Sequence, residues 1–248
     1  MSFLVCIPTY NEMESLPGVL ERVLKAAPEV HILIADDASP DGTGQWADEQ
    51  AAKDERVHVL HRTKKEGLGP AYIAAFKWGL ERGYDFLCEM DADGSHRPEQ
   101  LPVLLHRAQA PDRPDLVIGS RWVRGGGTVG WPLSRRLLSR GGSLWTEIWL
   151  GMGVRDATAG FRVFRADLLR RLDLNSIESA GYCFQIDMTR RVDAIGGKIA
   201  EVPISFVERA QGVSKMSGNI ITEALGRTAK WGLQKRGRQL RSLFARRK

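Results

Sequence analysis

The chain has 248 residues, 43% of them apolar, with 36 Lys and Arg against 30 Asp and Glu, 26 Gly and three Cys. That length accommodates one large α/β domain with a full core, and 27% charged residues exclude a disordered, collagenous or disulfide-stapled chain. The net charge of +6 is uneven: nine cations and no acid lie between Arg227 and Lys248, leaving 27 basic against 30 acidic residues in 1–226.

Met1–Pro8 lacks a basic segment and breaks at Pro8, so it reads as a strand and not as a signal peptide. From there apolar runs alternate with helical patterns. Phe3–Ile7, Val30–Ala35, Val57–Leu60, Phe86–Met90 and Leu116–Gly119 are short and bounded by charges or turn formers. Between them Glu14–Ala26, Gly42–Lys53, Leu68–Arg82 and Glu99–Ala108 repeat apolar residues at helical spacing. This alternation predicts βαβ units and a mostly parallel sheet. Cys6 and Cys88 fall in the apolar runs and share no C-x-x-C spacing with Cys183, which predicts core thiols and a reducing compartment.

After residue 120 the rhythm changes. Gly125–Gly127 and Gly130-Trp131-Pro132 predict a flexible loop, followed by an apolar, Trp-rich helix over Ser134–Leu150. Phe161–Phe164 and Ile199–Phe206 read as later strands, with helices near Asp167–Leu172 and Cys183–Ile195 and a polar loop at Val207–Ser217. The last thirty residues read as one or two amphipathic helices interrupted at Gly232 and Gly237. We therefore expect a catalytic domain over 1–218 and a basic amphipathic appendage over 219–248. No apolar run approaches the roughly 20 residues of a membrane-spanning helix.

Ligands of parallel sheets bind beyond the carboxyl ends of the strands. The residues there are Pro8-Thr9-Tyr10-Asn11-Glu12, Asp36-Asp37 through Thr43, Asp91-Ala92-Asp93, and Ser120-Arg121. Neither G-x-x-x-x-G-K-[ST] nor a G-x-G-x-x-G after the first strand is present, which argues against a P-loop NTPase or a nicotinamide dehydrogenase. Two carboxylates two residues apart after a strand suit a hard divalent cation that takes its other ligands from substrate phosphates. Capping or solvation of the same two acids is the competing reading.

Pro8-x-Tyr10-Asn11-Glu12, Asp36-Asp37-x-Ser39-Pro40-Asp41-Gly42-Thr43, Gly67-x-Gly69-x-Ala71-Tyr72, Asp91-Ala92-Asp93-x-Ser95-His96-x-Pro98, Gly119-Ser120-Arg121, Gly130-Trp131, Glu201-Val202-Pro203-Ile204-x-Phe206 and Arg209-x-x-Gly212-x-Ser214-Lys215 occur in this order. Together they resemble family 2 glycosyltransferases, and within them the dolichyl- or polyprenyl-phosphate mannose synthases, over about Ser2–Gly218. The resemblance implies a GT-A nucleotide-sugar fold, an α/β architecture whose mostly parallel central sheet is flanked by helices, here followed by a basic amphipathic C-terminal helix. It implies inverting transfer of mannose from GDP-mannose to a polyprenyl monophosphate, with Mg²⁺ or Mn²⁺ as cofactor. Transfer of glucose or another hexose is the alternative, as is a non-catalytic nucleotide-sugar or RNA-binding protein.

By the same resemblance, Pro8, Tyr10 and Glu12 line the nucleoside pocket, with Asp37 and the backbone at Ala35 near the base and Asp36 either there or supporting the turn. Asp91, Ala92 and Asp93 sit at the diphosphate, Asp91 and Asp93 holding the metal. Arg209 and Lys215 close over the donor phosphates from a loop. Arg121, Arg135 and Ser139 hold the acceptor phosphate, and Arg121 also meets the donor; Asp91, Asp93 and Arg121 are the catalytic candidates. Asp187 is a lesser site candidate. Trp122, Trp131, Trp145 and Trp149 interleave with Arg124, Arg135, Arg136 and Arg140, which reads either as core packing or as an interfacial helix. Together with the basic tail this predicts a cytoplasmic protein attached peripherally to the anionic cytoplasmic face of a membrane, directly or through an integral membrane partner protein, and no nucleic-acid partner.

Overall fold

The computed structural model describes residues 1–177, 179, 182–208 and 218–245. The first half alternates β1 (Phe3–Thr9), α1 (Leu16–Ala26), β2 (His31–Asp36), α2 (Thr43–Ala51), β3 (Val57–His61), α3 (Leu68–Glu81), β4 (Phe86–Glu89), α4 (Leu101–Ala108) and β5 (Leu116–Ser120). The second half carries β6 (Gly127–Val129), α5 (Leu133–Leu150), β7 (Arg162–Arg165), α6 (Ala166–Arg171), α7 (Tyr182–Ala194), β8 (Ile199–Pro203), β9 (Ser205–Val207) and α8 (Gly218–Ala245).

The main sheet has the order β3-β2-β1-β4-β7-β5-β8, with only β7 antiparallel, between β4 and β5. Both faces are covered, which is why its strands read as unbroken apolar runs. Alternate residues of β1 go to opposite cores. Phe3, Val5 and Ile7 pack with Leu16, Leu20 and Leu104 of α1 and α4. Leu4 and Cys6 pack with Tyr72 and Phe76 of α3 and Phe184 of α7. Gly79 lets α3 lie close to the sheet, because a Cβ there would come within 2.7 Å of Leu4 and Leu87. Cys6, Cys88 and Cys183 are buried, and burial pushes the thiols of the first two well above the ordinary range.

Three departures from the predicted elements have local causes. Gly127–Val129 is a short strand, not part of a loop, because it pairs in parallel with Ser205–Val207 as a second sheet. That pairing divides the predicted Ile199–Phe206 strand at Ile204, which donates its N–H back to Ser120. The C-terminal helix runs unbroken through Gly232 and Gly237. Gly232 serves contact instead of interruption: a Cβ there would lie 2.7 Å from the Trp149 carbonyl oxygen, so the glycine allows α8 to lie against α5.

The chain runs from β1 outward to β2 and β3, then returns to place β4 on the other side of β1. A reversal of this kind opens a crevice beyond the carboxyl ends of β1 and β4. It brings Pro8–Glu12 and Asp91–Asp93 together.

Candidate active site

A cleft of about 340 Å³ occupies that crevice. One wall is the loop after β1, built through the loop after β2. Asp36 is turned inward, where its carboxylate accepts from Thr9 Oγ1 at 3.1 Å and from the Ser39 N–H at 3.0 Å. Asp41 accepts from the Thr43 N–H at the start of α2 (3.0 Å) and from the Met13 N–H (3.1 Å). Ser39 and Thr43 in turn accept from the N–H groups of Asn11 and Glu12. The run Asp36–Thr43 is thus a brace that shapes Tyr10–Glu12. Asn11 and Ala38 both adopt left-handed backbone (φ 57° and 55°) to make the two turns meet.

Pro8, Tyr10, Glu12 and Asp37 line the cleft. Asp37 forms a buried ion pair with Arg62; burial pushes its carboxyl above the ordinary range, against the pull of that guanidinium. Ala35 does not line the cleft: it is fully buried in β2 and its side chain belongs to the core. Lys65, which sequence reasoning passed over, has its ammonium 3.8 Å from the Tyr10 ring centre.

The second wall is Asp91-Ala92-Asp93. Tyr72, whose phenol burial holds in its protonated form, donates to Asp91 Oδ1 at 3.4 Å. The Asp91 N–H donates to His96 Nδ1 at 3.0 Å, and the Ser95 N–H to Asp93 Oδ1 at 2.9 Å. Asp93 therefore orders its own turn while lining the cleft, so its capping role does not take it away from the cleft. Among the described residues no third Asp, Glu, His or Cys completes a ligand group. A pair of oriented carboxylates of this kind fits a hard divalent cation that draws its remaining ligands from phosphate oxygens and water.

The third wall is cationic and aromatic. Arg121 is 5% exposed; its Nε and Nη2 donate to Asp156 at 2.8 and 2.6 Å, and Nη2 also donates to Thr158. Asp156 is itself fixed through its N–H by Glu201 of β8. The rings of Trp131 and Phe206 lie 5.4 and 5.5 Å from the Arg121 guanidinium. Arg135, on the first turn of α5, stacks 4.0 Å over Trp131 and pairs with Glu208 at 2.8 Å. Trp131 Nε1 and Arg135 Nε are buried donors with no partner among the described residues. Buried N–H groups are rarely left unpaired, so both donors are available to an acceptor.

Ser139 stands one turn beyond Arg135 on α5 and does not line the cleft. Asp187 also lies outside it, buried and paired with Arg190, Arg191 and Ser179. Arg209, Gly212, Ser214 and Lys215 lie outside the described residues, as do Arg246–Lys248. Beneath the floor, Glu89 is fully buried beside Gln185, and burial pushes its carboxyl up to about 8. The same burial lowers the neighbouring Arg162 to about 10, where it remains charged at neutral pH.

Residues 4–173 match the profile described as "Glycosyl transferase family 2". An undecaprenyl-phosphate mannosyltransferase of Micrococcus luteus is 60% identical over 242 residues, 98% of either chain. A polyprenol monophosphomannose synthase of Mycolicibacterium smegmatis is 54% identical over 94% of this chain and 88% of its own. Among solved structures, glucosyl-3-phosphoglycerate synthase of Mycobacterium tuberculosis, in complex with UDP, superposes with a TM-score of 0.65 at 17% identity, covering 92% of this chain and 80% of its own. A mannosyltransferase of Pyrobaculum calidifontis, in complex with GDP-Man and Mn²⁺, superposes with a TM-score of 0.56 at 16% identity, covering 98% and 75%.

Proposed function

This chain belongs to glycosyl transferase family 2, and on that premise we propose that it transfers mannose from GDP-mannose to a polyprenyl monophosphate, with inversion at the anomeric carbon. One observation carries the reading. A single cleft unites a carboxylate pair suited to a cation-bound diphosphate with a wall of arginine and unpartnered buried N–H donors suited to a second phosphate.

The chemistry needs no strong general base, because a polyprenyl monophosphate is already an anion at neutral pH. One of its oxygens attacks the anomeric carbon as the bond from that carbon to the GDP oxygen breaks, and the electron pair leaves with GDP. The protein's task is to hold two anions in line and to stabilise the charge that develops on the leaving group. Asp91 and Asp93 would hold Mg²⁺ or Mn²⁺, which when bound offsets the charge of the diphosphate. Arg121 keeps its Nη1 edge for the cleft while Asp156 and Thr158 lock the other edge, so its position is set before any ligand arrives. Arg135, Trp131 Nε1 and Arg121 together form the cradle for the acceptor phosphate. Tyr10, Asp37 and Lys65 face the nucleoside end. The reading extends to Arg209 and Lys215 as cations that meet the donor phosphates.

The polyprenyl chain needs an apolar route to this cradle, and α5 supports one. The helix is inside out: its buried residues are Ser143, Thr146 and Leu150, while Leu133, Leu137, Leu144 and Ile148 are all about 60% exposed. Core packing therefore does not explain this stripe. The exposed Arg136 and Arg140 flank it, and Arg135 on the same helix reaches the cleft. Docking of this face on an anionic membrane brings the lipid phosphate to Arg135 with its tail along the leucines.

The test is acceptor kinetics. Arg135→Ala is expected to raise KM for a short polyprenyl phosphate by about tenfold, the loss of one charge-assisted contact, and to leave KM for GDP-mannose unchanged. Equal effects on both substrates would remove Arg135 from the acceptor site.

A further inference from the structure

Gln185, on the first turns of α7, meets the cleft from below and is 2% exposed. Two neighbours fix it. Its Nε2 donates to Glu89 Oε2 at 2.8 Å, and its backbone carbonyl accepts from Arg162 Nη1 at 2.9 Å. Arg162 is itself anchored to the carbonyls of Ala157 and Ala159. The amide turns its Nε2 to Glu89, which leaves its Oε1 buried with no partner among the described residues. Gly160 stands beside it, where a side chain would begin 3.8 Å from Nε2.

A buried carbonyl oxygen without a donor is costly, and a site so built selects a ligand that supplies one. Phosphate oxygens are acceptors and do not fit. On the transferase reading a cation would take its carboxylates from Asp91 and Asp93, and the nucleoside would lie toward Tyr10 and Asp37. What fits is the hydroxyl of a sugar. We propose that Gln185 is a specificity-determining residue whose Oε1 accepts a hydrogen bond from one hydroxyl of the donor hexose, with Glu89 as the positioning residue that turns the amide toward it. This rests on the transferase reading above. With the amide turned this way by Glu89, a sugar that lacks the matching hydroxyl leaves Oε1 unpaired, which makes the contact selective.

The experiment compares wild type with Gln185→Met, which keeps length and volume but removes the acceptor. Each is assayed with GDP-mannose and with its 2-, 3-, 4- and 6-deoxy analogues, and each is titrated with GDP. The variant is expected to bind GDP as wild type does and to lose about 10- to 100-fold in kcat/KM for GDP-mannose. One deoxy analogue that wild type penalises should cost the variant nothing further, because the hydroxyl it lacks has no partner left. The proposal is overturned if the variant penalises every analogue as wild type does, or if its kcat/KM for GDP-mannose is unchanged. Should the Met variant lose GDP binding, Gln185→Asn, which withdraws the same amide, gives the same comparison. Absence of mannose transfer by wild type is a separate result and would overturn the transferase reading instead.

Discussion

Neighbouring residues at a strand end face opposite ways, and Asp36 and Asp37 follow that rule: Asp36 holds Thr9 and Ser39 inside the turn, while Asp37 meets the cleft. The sequence alone left these two unranked, because which acid faces in depends on the pleat of β2 and its register with β1. Glu89 was passed over for the related reason that an acid within an apolar strand carries no motif. Its burial has a measurable consequence. The folded protein retains a proton at Glu89 up to about pH 8, whereas the unfolded chain gives it up near the ordinary value of 4.5. This contribution to stability is therefore complete below about pH 4.5 and is lost as pH rises through 8. Glu89→Gln, which mimics the protonated form, should match wild type in thermal unfolding near pH 5 and exceed it by several degrees at pH 8.5. Parallel unfolding curves for the two proteins across that range would show that Glu89 is ionised in the fold.

At the scale of elements, helices and strands of the first half were legible because their periodicity is enforced by a sheet buried on both faces. The second half was harder. The β6–β9 pairing depends on residues some eighty positions apart, and the loop reading of Gly125–Gly127 missed it. Gly232 looked like an interruption because the sequence does not reveal that Trp149 lies against it. On α5 the apolar stripe was visible, but only the structure shows that it faces outward while serine and threonine face in. Among the described residues no helix is long and apolar enough to cross a membrane; the membrane docking proposed above rests on this outward face of α5. Leu137→Asp/Leu144→Asp/Ile148→Asp should abolish flotation with vesicles rich in anionic lipid while a short, soluble polyprenyl phosphate is still mannosylated. Flotation equal to wild type at low salt would sink the docking of α5.

For the molecule as a whole, the strand order decides the site. Placing β4 beside β1 joins the loop that would hold the nucleoside to the carboxylates that would hold the diphosphate, and inserting β7 before β5 brings Arg121 to the same rim. Strand-end acids could be recognised in the sequence, but their convergence follows from topology, as does the placing of buried Asp156 and half-buried Glu201 behind Arg121. The most direct measurement incubates the purified protein with polyprenyl phosphate, Mg²⁺ or Mn²⁺, and either labelled GDP-mannose or labelled UDP-glucose, then counts label in the organic phase. The account predicts label from GDP-mannose only, reduced at least a thousandfold, about 4 kcal/mol of activation free energy, by Asp93→Asn and abolished by chelation. Label from UDP-glucose alone, or mannose transfer that survives both chelation and Asp93→Asn, would contradict it.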